Sequence, residues 1–140
     1  MAATETLPLH RRIKRVLEAK GGNAKQVTVT ETRKSWVFLT PHHVYKLKKR
    51  IRDDLQDLTG LRARLDNALA EVDLNRRLAL PIYLGIVKLC EDQDKSLRLE
   101  GRGRTVDWLV KMQRLPADRM LDDMITNVAH DNHNRLAPAV

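Results

Sequence analysis

Residues 26–49 constrain the fold more than any other stretch. QVTVTET (26–32), SWVFLT (35–40) and VYKLKK (44–49) each alternate in side-chain character and are rich in β-branched or aromatic residues, so each reads as a strand. The links between them are only Arg33-Lys34 and Pro41-His42-His43. Parallel neighbours need a crossover of about a dozen residues or more, so links this short specify an antiparallel meander. A period of two then assigns faces: Val44, Lys46 and Lys48 point to one side, Tyr45 and Leu47 to the other.

Helices flank the meander. Over residues 6–20, Leu9, Ile13, Val16 and Leu17 share one stripe, while Arg11, Lys14, Arg15 and Glu18 take the opposite side. Thr6 suits the cap, Pro8 the first turn, and Gly21-Gly22-Asn23 the stop. After a charged connector over 50–60, Leu61 to Leu80 carries a helical period and meets Pro81. Arg62, Asp66, Asp73 and Arg77 form its wet face, and Leu58, Leu61, Leu65, Leu69 and Val72 the expected packing stripe. Further strands are expected over 82–90, 96–100 and 105–112, then a helix from Asp118 to about Val128. Trp36, Phe38 and Trp108 alternate inside strands and are expected in the core, with Trp108 on one face with Val106, Val110 and Met112.

This order specifies an α+β fold: an antiparallel sheet of about five strands, one long packed helix, and an N-terminal and a C-terminal helix. The expected division is an N-terminal helical segment (1–25), a central lobe (26–116) and a helix with polar tail (117–140). An apolar fraction of 42% is enough to fill a core. The single cysteine, Cys90, excludes a disulfide framework and a CxxC site. No apolar run approaches the roughly 20 residues that span a bilayer, and the first residues lack an apolar signal core, so a cytoplasmic protein with no membrane association is expected.

The charge balance of +8 opens one class of function. HRRIKR (10–15), KLKKRIR (46–52) and RAR (62–64) are basic runs suited to nucleic-acid phosphates. Against this, two Trp, two Tyr and one Phe leave little for stacking bases, and no zinc finger, helix-turn-helix or RNP-like strand is present. His42-His43 in a turn, and His130 and His133 around Asp131 in the tail, read as solvated side chains rather than metal ligands.

Glu71 opens another. It lies on neither stripe of the long helix but beside Ala68, Asn75 and Leu78, turned toward a covered side where an unpaired carboxylate is costly. Its partner is either Arg64 or Asn75 on the same helix, or a lysine of the third strand. A lysine on an inner strand, fixed by a glutamate on a helix behind the sheet, is how kinase-like folds hold nucleotide phosphates. Lys46 is preferred to Lys48, because position i−2 must be small and apolar to roof a base: Val44 precedes Lys46, whereas Lys46 itself precedes Lys48. The plainer reading makes these lysines a solvated strand edge.

Glu31-Thr32 with SWVFL (35–39), VYKLKK (44–49), EVDLNRRLA (71–79), IYLGIV (82–87) and VKMQRLPADRML (110–121) occur in this order. Together they resemble the N-terminal part of a bacterial family of kinase-like proteins similar to aminoglycoside phosphotransferases and often fused to a P-loop ATPase domain. The resemblance covers residues 27–125 and implies the small lobe of a protein-kinase-like fold. It implies ATP as cofactor, with Lys46 as phosphate-binding lysine, Glu71 as its helix partner, Val44 above the base and Met112, Gln113 and Arg114 in the hinge. The link from Glu31 to Ser35 holds no glycine, so a phosphate contact there falls to backbone amides and the Ser35 hydroxyl. Arg33 replaces an expected histidine, and Arg50-Ile51-Arg52 replaces expected proline and aromatic residues in the connector. The catalytic base and magnesium-binding residues of such enzymes belong to a large lobe. His130, Asp131 and Asn134 are too closely spaced to replace them. The chain is therefore expected to be inactive alone, needing magnesium only with a large lobe, and to act with a large-lobe partner chain or as a homodimer; the alternative is a non-catalytic protein-interaction module.

Overall fold

The computed structural model describes residues 7–21, 26–78 and 82–115. The expected Thr6 cap, the Gly22-Asn23 and Pro81 stops, the helix from Asp118 to Val128, and His130, Asp131, His133 and Asn134 lie outside the described residues.

Strands β1 (Thr28–Glu31), β2 (Ser35–Leu39) and β3 (His43–Lys48) form the meander required by the short links. Helix α1 (Leu9–Gly21) precedes them, and helix α2 (Leu61–Arg77) follows. Strands β4 (Tyr83–Glu91), β5 (Leu97–Leu99) and β6 (Arg104–Gln113) complete one open sheet in the order β1-β2-β3-β6-β4-β5, every neighbouring pair antiparallel. The sheet thus has six strands where about five were expected. The last strand folds back between β3 and β4, which puts β3 and β6 at the centre.

Each face of the sheet has its own core and helix. Ile13 and Leu17 of α1 are buried with Phe38, Tyr45, Leu47, Leu89 and Leu109. This amphipathic helix belongs to the same packed body as residues 26–115, because its stripe covers a sheet face that water would otherwise meet. Trp36 is half-buried there and not in the core: its ring stacks on His10 at 3.8 Å and 5°, with Lys49 Nζ 5.1 Å from its centroid. Arg12 fastens the helix laterally, donating to Glu91 Oε2 at 3.1 Å and to the Lys95 carbonyl at 2.8 Å.

The opposite face holds Val37, Val44, Val110, Met112 and Tyr83 against Ala68 and Val72 of α2. Trp108 is half-buried, and Val106 packs with the α1-side cluster while Val110 and Met112 pack with the α2-side cluster. The shared face expected of Val106 and Val110 fails because the β4–β6 register slips between Leu89–Asp107 and Cys90–Thr105. The extra residue in β6 reverses the alternation. A second slip, between Tyr83 and Gly85, is accommodated by Gly85 at φ +145°, a conformation open to glycine. Cys90 is buried, its thiol 3.2 Å from the Gly101 carbonyl.

Helix α2 turns a different side to the sheet from the one its leucines indicate. Its wet face is as expected, with Arg62–Asp66 and Arg77–Asp73 pairs along exposed turns. Its buried residues are Arg64, Ala68, Glu71, Val72 and Asn75, whereas Leu69 is 48% exposed and Leu61 and Leu65 are half-buried. Periodicity treats charge as a mark of water, but Arg64 and Glu71 meet opposite charges on the sheet, and small Ala68 allows close approach. Leu69→Lys is therefore expected to change the urea-unfolding free energy by no more than about 0.5 kcal/mol. A loss of several kcal/mol would mean that the leucine stripe is the packed one.

Candidate functional site

The register of the central strands arranges the α2-facing side in rows. Leu39, Val44, Met112 and Tyr83 stand opposite one another, the next row is Val37, Lys46, Val110 and Ile86, and Ser35 stands opposite Lys48. Lys46 and Lys48 therefore project from an inner strand on the same side as Val44 and Ser35, as the alternation of VYKLKK requires. They are not a solvated edge: both are buried, as are Ser35 and Val44.

Glu71 comes down on them from α2. Lys46 Nζ donates to its Oε1 at 3.3 Å and Oε2 at 3.1 Å, and Lys48 Nζ donates to Oε1. The Tyr83 hydroxyl lies 3.3 Å from Oε2, and Asn75 Nδ2 donates to the Glu71 carbonyl at 2.8 Å one turn on. The lysine of the third strand and the glutamate of the long helix thus meet, the intrahelical pair with Arg64 does not form, and Asn75 touches the Glu71 backbone. Arg64 instead donates to Asp107 Oδ1 at 3.1 Å and to the carbonyls of Leu58 and Thr59. Lys46 pairs with Glu71 as expected, and Lys48 shares the same carboxylate. The signal was available, since residues two apart on a strand share a face.

Burial alone would push the Glu71 carboxyl up, but the Lys48 and Lys46 ammoniums outweigh it and hold it down to about 2. Burial, and then the Lys48 charge beside it, pull Lys46 down to about 8 despite the pull of Glu71 in the other direction. The site thus holds an ionised carboxylate and a lysine whose proton is less firmly kept than usual.

The remaining expected residues lie along the same sheet. Met112 is buried next to Val44. Gln113 is exposed and Arg114 half-buried; their N–H groups donate to the carbonyls of Ile82 at 2.7 Å and His42 at 3.0 Å, and Arg114 Nη1 donates to the Thr40 carbonyl at 2.9 Å. Those two backbone donors already extend the ladder, so a base held at this strand end uses other atoms. Ser35 closes the β1–β2 link: its N–H donates to Thr32 Oγ1 at 3.0 Å, and the Thr32 N–H to its carbonyl at 2.9 Å. That link contains Arg33-Lys34 and has no wide phosphate loop.

No family model, curated protein or solved structure matches the chain.

The basic runs separate on folding. Lys46, Lys48 and Arg64 are buried in ion pairs, Arg12 is tied to Glu91, Lys14 to Glu18 and Arg62 to Asp66. These cations of the linear clusters are thus held in the interior or in surface ion pairs, while Arg11, Arg15, Arg50 and Arg52 stay exposed. Among the described residues no three His, Cys, Asp or Glu side chains are grouped to hold a metal ion, and no helix is long and apolar enough to cross a membrane.

Proposed function

We propose that this chain is the nucleotide-binding small lobe of a kinase-like phosphotransferase of the aminoglycoside-phosphotransferase type. The observation that carries the reading is the buried ion pair between Lys46 of central strand β3 and Glu71 of the helix crossing the sheet. Burying such a pair is expensive and rarely the most stable solution for a core. Its presence is explained when an ammonium must stand at a fixed point. Lys46 then supplies a point charge to phosphate oxygens, and Glu71 removes the freedom of its four-carbon stem before the ligand arrives. Val44 and Met112 form the apolar floor for a base, with Gln113 and Arg114 at the rim and Ser35 at the phosphate end. ATP is the ligand this arrangement suits. Phosphoryl transfer consists mainly of positioning and charge neutralisation by metal and by a second lobe, so the part of that chemistry this lobe supplies is nucleotide binding. Magnesium and the acceptor enter with a large-lobe partner.

ATP titration followed by amide NMR is expected to shift the Val44 and Met112 signals, and Lys46→Ala to remove that response while the rest of the spectrum stays dispersed. Unmoved signals at millimolar ATP, with or without magnesium, would refute the reading.

A further inference from the structure

The kinase-like reading uses one lysine, but Glu71 holds two. Lys46 and Lys48 leave the same face of β3 one pleat apart, about 6–7 Å along the strand, and converge on the same carboxylate. Among the described residues Glu71 is the only acidic side chain within ion-pair reach of either ammonium, so the two lysines bring one more charge than it neutralises. Both are buried, where excess charge is poorly screened and an unmatched cation is costly. The lowered proton affinity of Lys46 reflects that burial and the neighbouring Lys48 charge. The contacts to Lys46, 3.1 and 3.3 Å, are also long for a charge-assisted hydrogen bond, which usually spans about 2.7–2.9 Å. Helix α2 packs mainly on β6 and β4, so both ammoniums stand toward its β3 side.

We propose that Lys46 binds one phosphate group of a polyphosphate ligand and that Lys48, by keeping Glu71 paired, positions Lys46 to do so. In the free protein Glu71 restrains both ammoniums. With ligand bound, Lys46 turns its donors to a phosphate oxygen and Lys48 stays on Glu71, so the carboxylate is never left buried without a cation. Tyr83, 3.3 Å from Oε2, keeps that oxygen in place during the exchange. Lys48 is thus a positioning residue: it frees Lys46 for the ligand. The second cation also selects for charge, because an anionic phosphate oxygen answers the excess positive charge and a neutral nucleoside gains nothing from it.

This inference rests on the nucleotide reading for the identity of its ligand and is tested with inorganic tripolyphosphate beside ATP. The side-chain 15N signals of the two ammoniums are followed in the full chain, and affinities are measured by calorimetry for the unmodified protein, Lys46→Met and Lys48→Met. Tripolyphosphate is expected to move the Lys46 ammonium signal and leave that of Lys48, while adenosine moves neither. Lys48→Met is expected to weaken ATP and tripolyphosphate binding about tenfold or more, although Lys46 is intact. An unmoved Lys46 signal at saturating tripolyphosphate overturns the proposal, whatever the fate of the variants. ATP binding lost in Lys46→Met but unchanged in Lys48→Met overturns it too and leaves the nucleotide reading standing. A tripolyphosphate response without any ATP response supports the two-lysine site and refutes the nucleotide reading.

Discussion

Glu71→Gln is expected to destabilise the protein by about 3–5 kcal/mol, read as the urea-unfolding free energy at pH 7. The amide keeps the shape of the side chain but leaves the Lys46 and Lys48 ammoniums facing each other in a buried site. Removing all three charges is a different experiment. A Lys46→Met, Lys48→Met, Glu71→Leu triple variant is expected to recover most of the loss or exceed the parent, because hydrophobic replacement of a buried ion cluster abolishes the desolvation cost with the attraction. A small effect of Glu71→Gln alone would show that the carboxylate does not hold the two cations. The pH dependence follows with a definite sign. Glu71 titrates near 2 in the folded chain against an ordinary 4.5. Its contribution is therefore complete above about pH 4.5 and is lost as pH falls toward 2. Lys46 is displaced the other way relative to its charge, to about 8 from 10.5. Between those values the unfolded chain binds the extra proton, so this group makes stability rise as pH increases from 8 to 10.5. Glu71→Gln should flatten the acid limb between pH 2 and 4.5.

Arg64→Met is expected to cost a similar amount, about 3–5 kcal/mol in the same measurement. Arg64 is buried, and its guanidinium joins the start of α2, the end of the connector and β6 through Asp107 Oδ1 at 3.1 Å and the carbonyls of Leu58 at 3.1 Å and Thr59 at 2.8 Å. Methionine preserves much of the apolar stem but leaves Asp107, 1% exposed, with a charge and little to answer it. Among the described residues its Oδ2 has no hydrogen-bond partner, and it stands 3.7 Å from Arg50, a residue largely in water. Two contrasts make the test specific. Asp107→Asn added to Arg64→Met should return part of the loss by removing the orphaned charge. Arg50→Ala alone should change stability by no more than about 1 kcal/mol, since exposed pairs contribute little. A loss below about 1 kcal/mol for Arg64→Met would show that the arginine is not the clamp between connector and sheet.

Local rules determined much of this protein. Two- and three-residue links fixed the meander, the alternation in VYKLKK fixed which lysines share a face, and the stripe of Leu9, Ile13, Val16 and Leu17 fixed the buried side of α1. These features depend on neighbours in the chain and on a period, and both are written in the order of residues. The candidate site was legible to the same extent: Glu71 stood off both stripes of its helix, and Lys46 lay on an inward-facing register.

The tertiary structure alone decided how charges are matched across distant segments. Whether Arg64 or Lys46 satisfies Glu71 depends on what β6 offers, and Asp107, 43 residues beyond Arg64, draws the arginine away. With these pairs in place, Leu69 faces water and a mixed row of Arg64, Ala68, Glu71, Val72 and Asn75 faces the sheet. The place of β6 between β3 and β4, and the bulge that separates Val106 from Val110, are likewise set by pairing between strands remote in sequence. A buried charge is tolerable only with its partner in place, and a sequence states the charge long before it states the partner.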